Sequence, residues 1–393
     1  MDSLIFKSEL KAKQVKDKKR RYLFQQIDFS QKLIMILGYR GTGKTTILLQ
    51  YLSSSKKKGI YVSLDDLFFE SNRLIEIIQQ LYTIGYRLFL LDEVHRYAWW
   101  SKDLKQLYDD YSDIQLVVTG SSVLDISKGN ADLSRRASTY TLHGLSFREY
   151  LNFQKNKDIA PISLSDIIRK HHQIAPELAD QFSIKKELDK YIHHGYYPFY
   201  LEGLQHYFQK LQETLNLVID TDITPYEELQ YSTTRNMKKL LYVISQSVPF
   251  TPNIHKLSEK LEIPRNSILR LLDYLYQAQI IHLLKSSVKG VSYLQKPEKI
   301  YLHNCNFIYL FSPIQPNIGN IRETFFYNQV HAVHQITAPK YGDFMIDDQY
   351  VFEVGGAHKT MEQIKGVPNS YLALDVEQGS NRSIPLWMFG MMY

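Results

Sequence analysis

Residues 33–52 read LIMILGYRGTGKTTILLQYL: an apolar run, a stretch with three glycines and a lysine, then a second apolar run. Two hydrophobic elements parted by a loop almost without side chains imply that something other than protein fills the loop. Gly38, Gly43, Lys44 and Thr45 satisfy G-x-x-x-x-G-K-[ST] at every fixed position, between a strand-like and a helix-like run. Glycines let the backbone wrap closely round a phosphate chain, so that its N–H groups and the N-terminus of the next helix face the oxygens. The residues assigned to that contact are Gly38, Arg40, Gly41, Thr42, Gly43, Lys44, Thr45 and Thr46, with solvent or a neighbouring domain as the alternative for the Arg40 side chain. Lys44 would reach the β and γ phosphates, and the Thr45 hydroxyl would ligate Mg²⁺. A chance glycine-rich turn is the alternative.

Outward from this loop, the apolar runs KLIMIL, GIYVSL, RLFLLD and IQLVVTG alternate with the amphipathic TTILLQYL, NRLIEIIQQLY and KDLKQLYDDY. Runs so uniformly apolar have no wet face, which predicts an α/β fold with a parallel sheet covered by helices on both sides. RLFLLDEVH is a buried-strand pattern ending in two carboxylates, Asp92 and Glu93. A strand delivering both to the C-terminal sheet edge places them beside the phosphate loop, Asp92 to hold Mg²⁺ and Glu93 to polarise an attacking water. Two solvated turn residues are the alternative. The next strand ends in Thr119, Gly120, Ser121 and Ser122, where a hydroxyl can touch a γ-phosphate or the lytic water. Thr119 is the first choice and Ser121 the second.

The bulk numbers set bounds. At 393 residues the chain has room for two or three domains, and 47 Lys and Arg against 41 Asp and Glu give a net charge of +6. That excess tolerates a polyanionic partner and equally fits an ordinary basic surface. One cysteine, Cys305, excludes intrachain disulfides and cysteine zinc cages and points to a reducing, cytoplasmic home. No stretch approaches the ~20 apolar residues needed to cross a bilayer, and the start MDSLIFKSELKAKQ lacks the order of a secretory signal. Residues 7–21, KSELKAKQVKDKKRR, form a basic leader, read as a solvated face or as a contact to nucleic acid or a neighbouring subunit.

With GYRGTGKT, LLDEVH, TGSS, LSRRASTYTLHGLSFREYL, HHGYYP, GNIRETFFYNQV, GDFMIDDQYVFEVGG and IPLWMFG, the chain resembles a family of prokaryotic AAA-type P-loop ATPases with a C-terminal domain of unknown function. The likeness implies an ATPase domain at 1–150, a helical linker or lid at 151–230, a winged-helix-like domain at 231–296 and a restriction-endonuclease-like core at 297–393. It implies ATP and Mg²⁺ as cofactors, conversion of ATP and water to ADP and phosphate, and a nucleotide-driven switch. Arg136 occupies the place of the family's finger or sensor arginine, with Arg135 standing where a glycine is more usual, so the choice between the two stays open and a structural salt bridge is the alternative for either.

In residues 253–285 a helix-turn-helix pattern offers Arg265, Asn266 and Arg270 to a DNA groove, although Leu, Ile and Tyr in the second helix favour packing. Glu323, Asp343 and Glu353 match the acidic places of a nuclease core that would bind Mg²⁺. Gly355 stands where the motif's lysine belongs, and Lys359 is the residue able to swing back into its place. A degenerate core kept for binding is preferred to an active nuclease. Partners beyond an adenine nucleotide stay open among DNA, another protein and further copies of the chain, with no membrane.

Overall fold

The computed structural model describes residues 1–15, 17–120, 133, 135–223, 231–246, 251–286, 296–312, 314 and 316–393. Ser121 and Ser122 lie outside them. Two compact units emerge, one built on Met1–His143 with residues 221–223 returning to it, the other from Gly144 onward.

In the first unit, helices α1 (Asp2–Lys13) and α2 (Tyr22–Gln26) precede β1 (Leu33–Leu37). There follow α3 (Lys44–Ser54), β2 (Gly59–Ser63), α4 (Phe68–Ser71), α5 (Leu74–Thr83), β3 (Leu88–Asp92), α6 (Trp100–Asp110), β4 (Gln115–Gly120) and β5 (Ser138–Thr141). The sheet order is β2-β3-β4-β1-β5 and every pairing is parallel. Side chains alternate across a strand, and the apolar runs use that alternation to build two cores. Leu33, Met35, Leu37, Phe89, Leu91, Leu116 and Val118 pack on one face with α5 and α6. Ile34, Ile36, Leu88, Leu90 and Val117 pack on the other with Ile47 and Leu48 of α3. The helices owe their places to matching stripes: α5 buries Leu74, Ile77, Ile78 and Leu81, three or four residues apart.

The parallel register then fixes the site. Leu37 pairs with Gly120 and Leu91 with Val118, so the ends of β1, β3 and β4 reach one sheet edge together.

The second unit opens with helices Phe147–Lys155, Leu164–Gln181, Ile184–His194 and Tyr207–Leu217. Helices Tyr231–Ser245, Ile254–Leu261 and Arg265–Gln277 come next, then the antiparallel pair β6 (Ile281–Leu284) and β7 (Lys299–Leu302). Its mixed sheet joins β8 (Ile336–Thr337), β9 (Phe344–Ile346), β10 (Tyr350–Gly355), β11 (Ser370–Leu374) and β12 (Ser383–Pro385) in the order β12-β11-β10-β9-β8. Helix Ile318–His331 packs on it through Phe326, whose ring lies 5.2 Å from Phe344, 5.3 Å from Phe352 and 4.7 Å from Phe389. Among the described residues, no helix is long and apolar enough to cross a membrane.

His331, at the end of that helix, stands 5.1 Å from the His282 ring and 5.6 Å from Tyr327. Burial holds its pKa below the usual 6.5, because the charged form loses its water. A depressed histidine stabilises the fold above the unfolded pKa and loses that contribution as pH falls. Urea midpoints are therefore expected to drop from pH 7 to pH 5, and His331→Leu to flatten part of that fall; an unchanged slope would contradict this account of His331.

Candidate functional site

The loop between β1 and α3 takes its shape from glycine. Gly38, Gly41 and Gly43 have φ of +152°, +84° and +101°, values that side chains resist. A Cβ on Gly38 would collide with the Leu142 carbonyl oxygen. The loop folds over Lys44, which is 4% exposed and donates from Nζ to the carbonyls of Gly38 at 2.8 Å and Tyr39 at 3.1 Å. Burial depresses the Lys44 pKa, while Glu93 and Asp92 act in the other direction. The ammonium is thus dehydrated with dipoles for hydrogen-bond partners, an environment that an anion would improve. Thr42 is buried and donates to the Tyr39 carbonyl at 2.8 Å. Thr46 is half-buried in the first turn of α3.

Asp92, 2% exposed, collects three hydroxyls. Thr45 donates to Oδ2 at 2.7 Å, Tyr61 to the same oxygen at 2.8 Å, and Thr119 to Oδ1. Thr119 also accepts from the Glu93 backbone N–H at 3.1 Å, so it ties the two acidic residues to β4. The structure thereby joins Thr45, Asp92, Glu93 and Thr119. Burial, then the charge of Asp92, push the Tyr61 phenol well above its ordinary pKa. Tyr61 was not legible as a site residue, since β2 presents it as one more apolar position.

Glu93 has φ +53°, a left-handed conformation uncommon outside glycine and concentrated at functional sites. Its Oε2 lies 3.5 Å from Arg40 Nη2 and 3.5 Å from His95 Nε2. Arg40 therefore turns inward to the glutamate. A hydroxyl and a carboxylate 2.7 Å apart, beside a buried ammonium, form a donor set that fits Mg²⁺ and phosphate oxygens.

Arg136 is not brought to this loop. It precedes β5, whose Ser138 pairs with Ile34, so it stands level with the start of β1. At ~3.3 Å per residue that is roughly 20 Å from Gly38, at the opposite sheet edge. There its Nε and Nη2 hold Asp109 at 2.9 and 3.0 Å. The family likeness, not spacing, had suggested a finger or sensor; within one chain Arg136 makes the salt bridge that was its alternative.

The basic leader supplies a residue that composition hid. Arg21 is 3% exposed and donates to the Thr42 carbonyl and, at 2.8 Å, to the His143 carbonyl. It braces the loop from behind, and Gln50 adds a bond to the Lys18 carbonyl at 2.9 Å.

In the second unit, Glu323, Asp343, Glu353 and Lys359 do gather, with lysines among the carboxylates. Lys299 reaches Glu323 at 3.1 Å and Asp343 at 3.0 Å, and Tyr301 donates to Glu323 at 2.7 Å. Lys359 swings back to Glu353 at 2.5 Å, over Gly355, where any Cβ would meet the Lys359 stem at 2.6 Å. Burial raises the Glu323 and Glu353 pKa values, and Asp343 adds to both. Burial opposes the charge on Lys299, yet Glu323 and Asp343 hold its pKa above 10.5. Among the described residues, no group of three His, Cys, Asp or Glu is placed to hold a metal. Lys299, on β7 and outside the acidic motif, carried no signal in the sequence.

Comparison with known proteins follows the same division. Residues 30–151 match the family model described as an AAA domain, and residues 185–314 match a domain of unknown function (DUF8612). An uncharacterized protein of Methanocaldococcus jannaschii is 28% identical over 268 residues, which span 64% of this chain and 56% of that protein's length. The Walker-type ATPase of Pyrococcus abyssi aligns with TM-score 0.44 at 12% identity, covering 77% of this chain and 95% of that one. The Holliday junction branch migration motor RuvB of Thermotoga maritima aligns with TM-score 0.29 at 16% identity, covering 70% and 88%.

Arg21→Met removes a charged donor from two carbonyls, a loss of about 3 kcal/mol at hydrogen-bond strengths for charged groups. Urea unfolding is expected to show that loss together with weaker nucleotide binding; a variant as stable as wild type would contradict the bracing role.

Proposed function

We propose, from the match of residues 30–151 to the AAA domain family, that the chain binds ATP with Mg²⁺ and hydrolyses it, and that the nucleotide state works as a switch. The observation that carries this reading is the buried Lys44 ammonium, hydrogen-bonded to two loop carbonyls beside the Thr45–Asp92 bond.

On this reading the β and γ phosphate oxygens replace the Gly38 and Tyr39 carbonyls as partners of Lys44, and loop N–H groups take the remaining oxygens. Thr45 and Asp92 would hold Mg²⁺, which when bound neutralises charge on the phosphates. Glu93 orients a water and takes its proton as the water attacks, giving ADP and phosphate. Thr119 keeps Glu93 in register with Asp92 through its bonds to both.

Arg40 supports the switch. Its guanidinium faces Glu93 at 3.5 Å in this structure, and a γ-phosphate would offer it a second anion. Competition between the two makes the resting position of Glu93 depend on the nucleotide.

We read helices Ile254–Leu261 and Arg265–Gln277 with β6 and β7 as a winged helix used for packing. Arg265–Gln277 buries Ile268, Leu271, Leu272, Tyr274 and Leu275, which supports that use.

Steady-state turnover of wild type and Glu93→Gln tests the hydrolytic reading. The expected loss is roughly a hundredfold or more in kcat, the scale of a missing general base, with ATP affinity kept within about threefold. Absence of turnover in wild type, or undiminished turnover in Glu93→Gln, would contradict it.

A further inference from the structure

Glu93 sits at the head of a short helical turn, Val94–Arg96, whose two polar side chains both turn toward one distant carboxylate. His95 is buried and presents Nε2 to Glu93 Oε2 at 3.5 Å and to Asp222 Oδ1 at 3.9 Å. Arg96 donates from Nη2 to the Thr221 hydroxyl at 2.9 Å and to Asp222 Oδ1 at 2.8 Å. Asp222 is 0% exposed and belongs to the same compact unit as Glu93, although 126 residues separate it from Arg96. It closes the π-helical turn Val218–Asp222, a conformation that is rare and concentrated at functional sites.

A fully buried carboxylate is costly unless paired, so its position is set by its partners and it sets theirs in turn. Asp222 fixes Arg96, Arg96 fixes the turn, and the His95 ring is confined between two carboxylates. One of these is Glu93. Arg40 Nη2 lies 3.5 Å from the same Glu93 oxygen.

We propose that Asp222 and Arg96 are positioning residues for hydrolysis, acting through His95 to aim the Glu93 carboxylate at the attacking water. The inference rests on the hydrolytic reading above and deepens it: the catalytic glutamate is oriented by a segment outside every motif of the ATPase domain. The residues before Thr221 belong to the second unit.

The alternative is an ion pair that merely anchors residues 221–222. Steady-state kinetics of Asp222→Asn, Arg96→Met and Arg96→Lys, with ATP affinity and thermal midpoint measured on the same samples, separate the two. Positioning predicts kcat lower by about tenfold or more with KM and ATP affinity within about twofold, and partial rescue by Arg96→Lys relative to Arg96→Met. It further predicts that Asp222→Asn lowers the residual rate of Glu93→Gln little, because the two act on one step. A lower thermal midpoint with unchanged kcat would overturn the inference, as would equal losses from Asp222→Asn with and without Glu93. Should Arg96→Met fail to fold, the near-isosteric Asp222→Asn carries the test. No turnover in wild type would overturn the hydrolytic reading and this inference with it; normal wild type beside a normal Asp222→Asn would overturn the inference alone.

Discussion

A dehydrated ammonium group dominates the first unit. Lys44 lies at the N-terminus of α3 with its charge turned back onto the loop carbonyls of Gly38 and Tyr39. Holding a cation there costs free energy that two neutral dipoles offset only in part. Everything around it tolerates or exploits that cost. The glycines permit the wrap, Arg21 braces the loop through the Thr42 carbonyl, and Asp92 and Glu93 supply the negative potential that opposes deprotonation.

The sheet converts this local arrangement into a site with defined geometry. Because β1, β3 and β4 run parallel and in register, their C-terminal ends deliver the loop, the acidic pair and Thr119 to one edge. Asp92 is then the common acceptor for hydroxyls from α3, β2 and β4. Such a shared acceptor links the three elements to one another. Glu93 differs in kind: its backbone is left-handed and its side chain meets Arg40 and His95 at 3.5 Å rather than collecting hydroxyls.

Legibility in the sequence followed the range of the interaction. The glycine loop, the β3 carboxylates and the two-faced sheet were readable because spacing of a few residues encodes them. Thr119 was readable from its rank among the strands. Arg21, Tyr61, Lys299 and Asp222 were not, since each is defined by contacts with residues remote in the chain: Arg21 looked like one charge in a solvated run, and Lys299 like the start of a strand. Arg136 keeps the place before β5 that the likeness gave it, and there it pairs with Asp109, the salt bridge that stood as the alternative to a finger or sensor. Glu323, Asp343 and Glu353 do lie near one another, and the lysines that pair with them come from β7 and from the loop after β10.

Calorimetric titration of ATP into the wild-type protein and Lys44→Ala, with and without Mg²⁺, tests the central claim most directly. The account predicts saturable binding by wild type that strengthens with Mg²⁺ and is lost in a folded Lys44→Ala protein. Equal binding by the two proteins, or no binding by wild type under either condition, would contradict it.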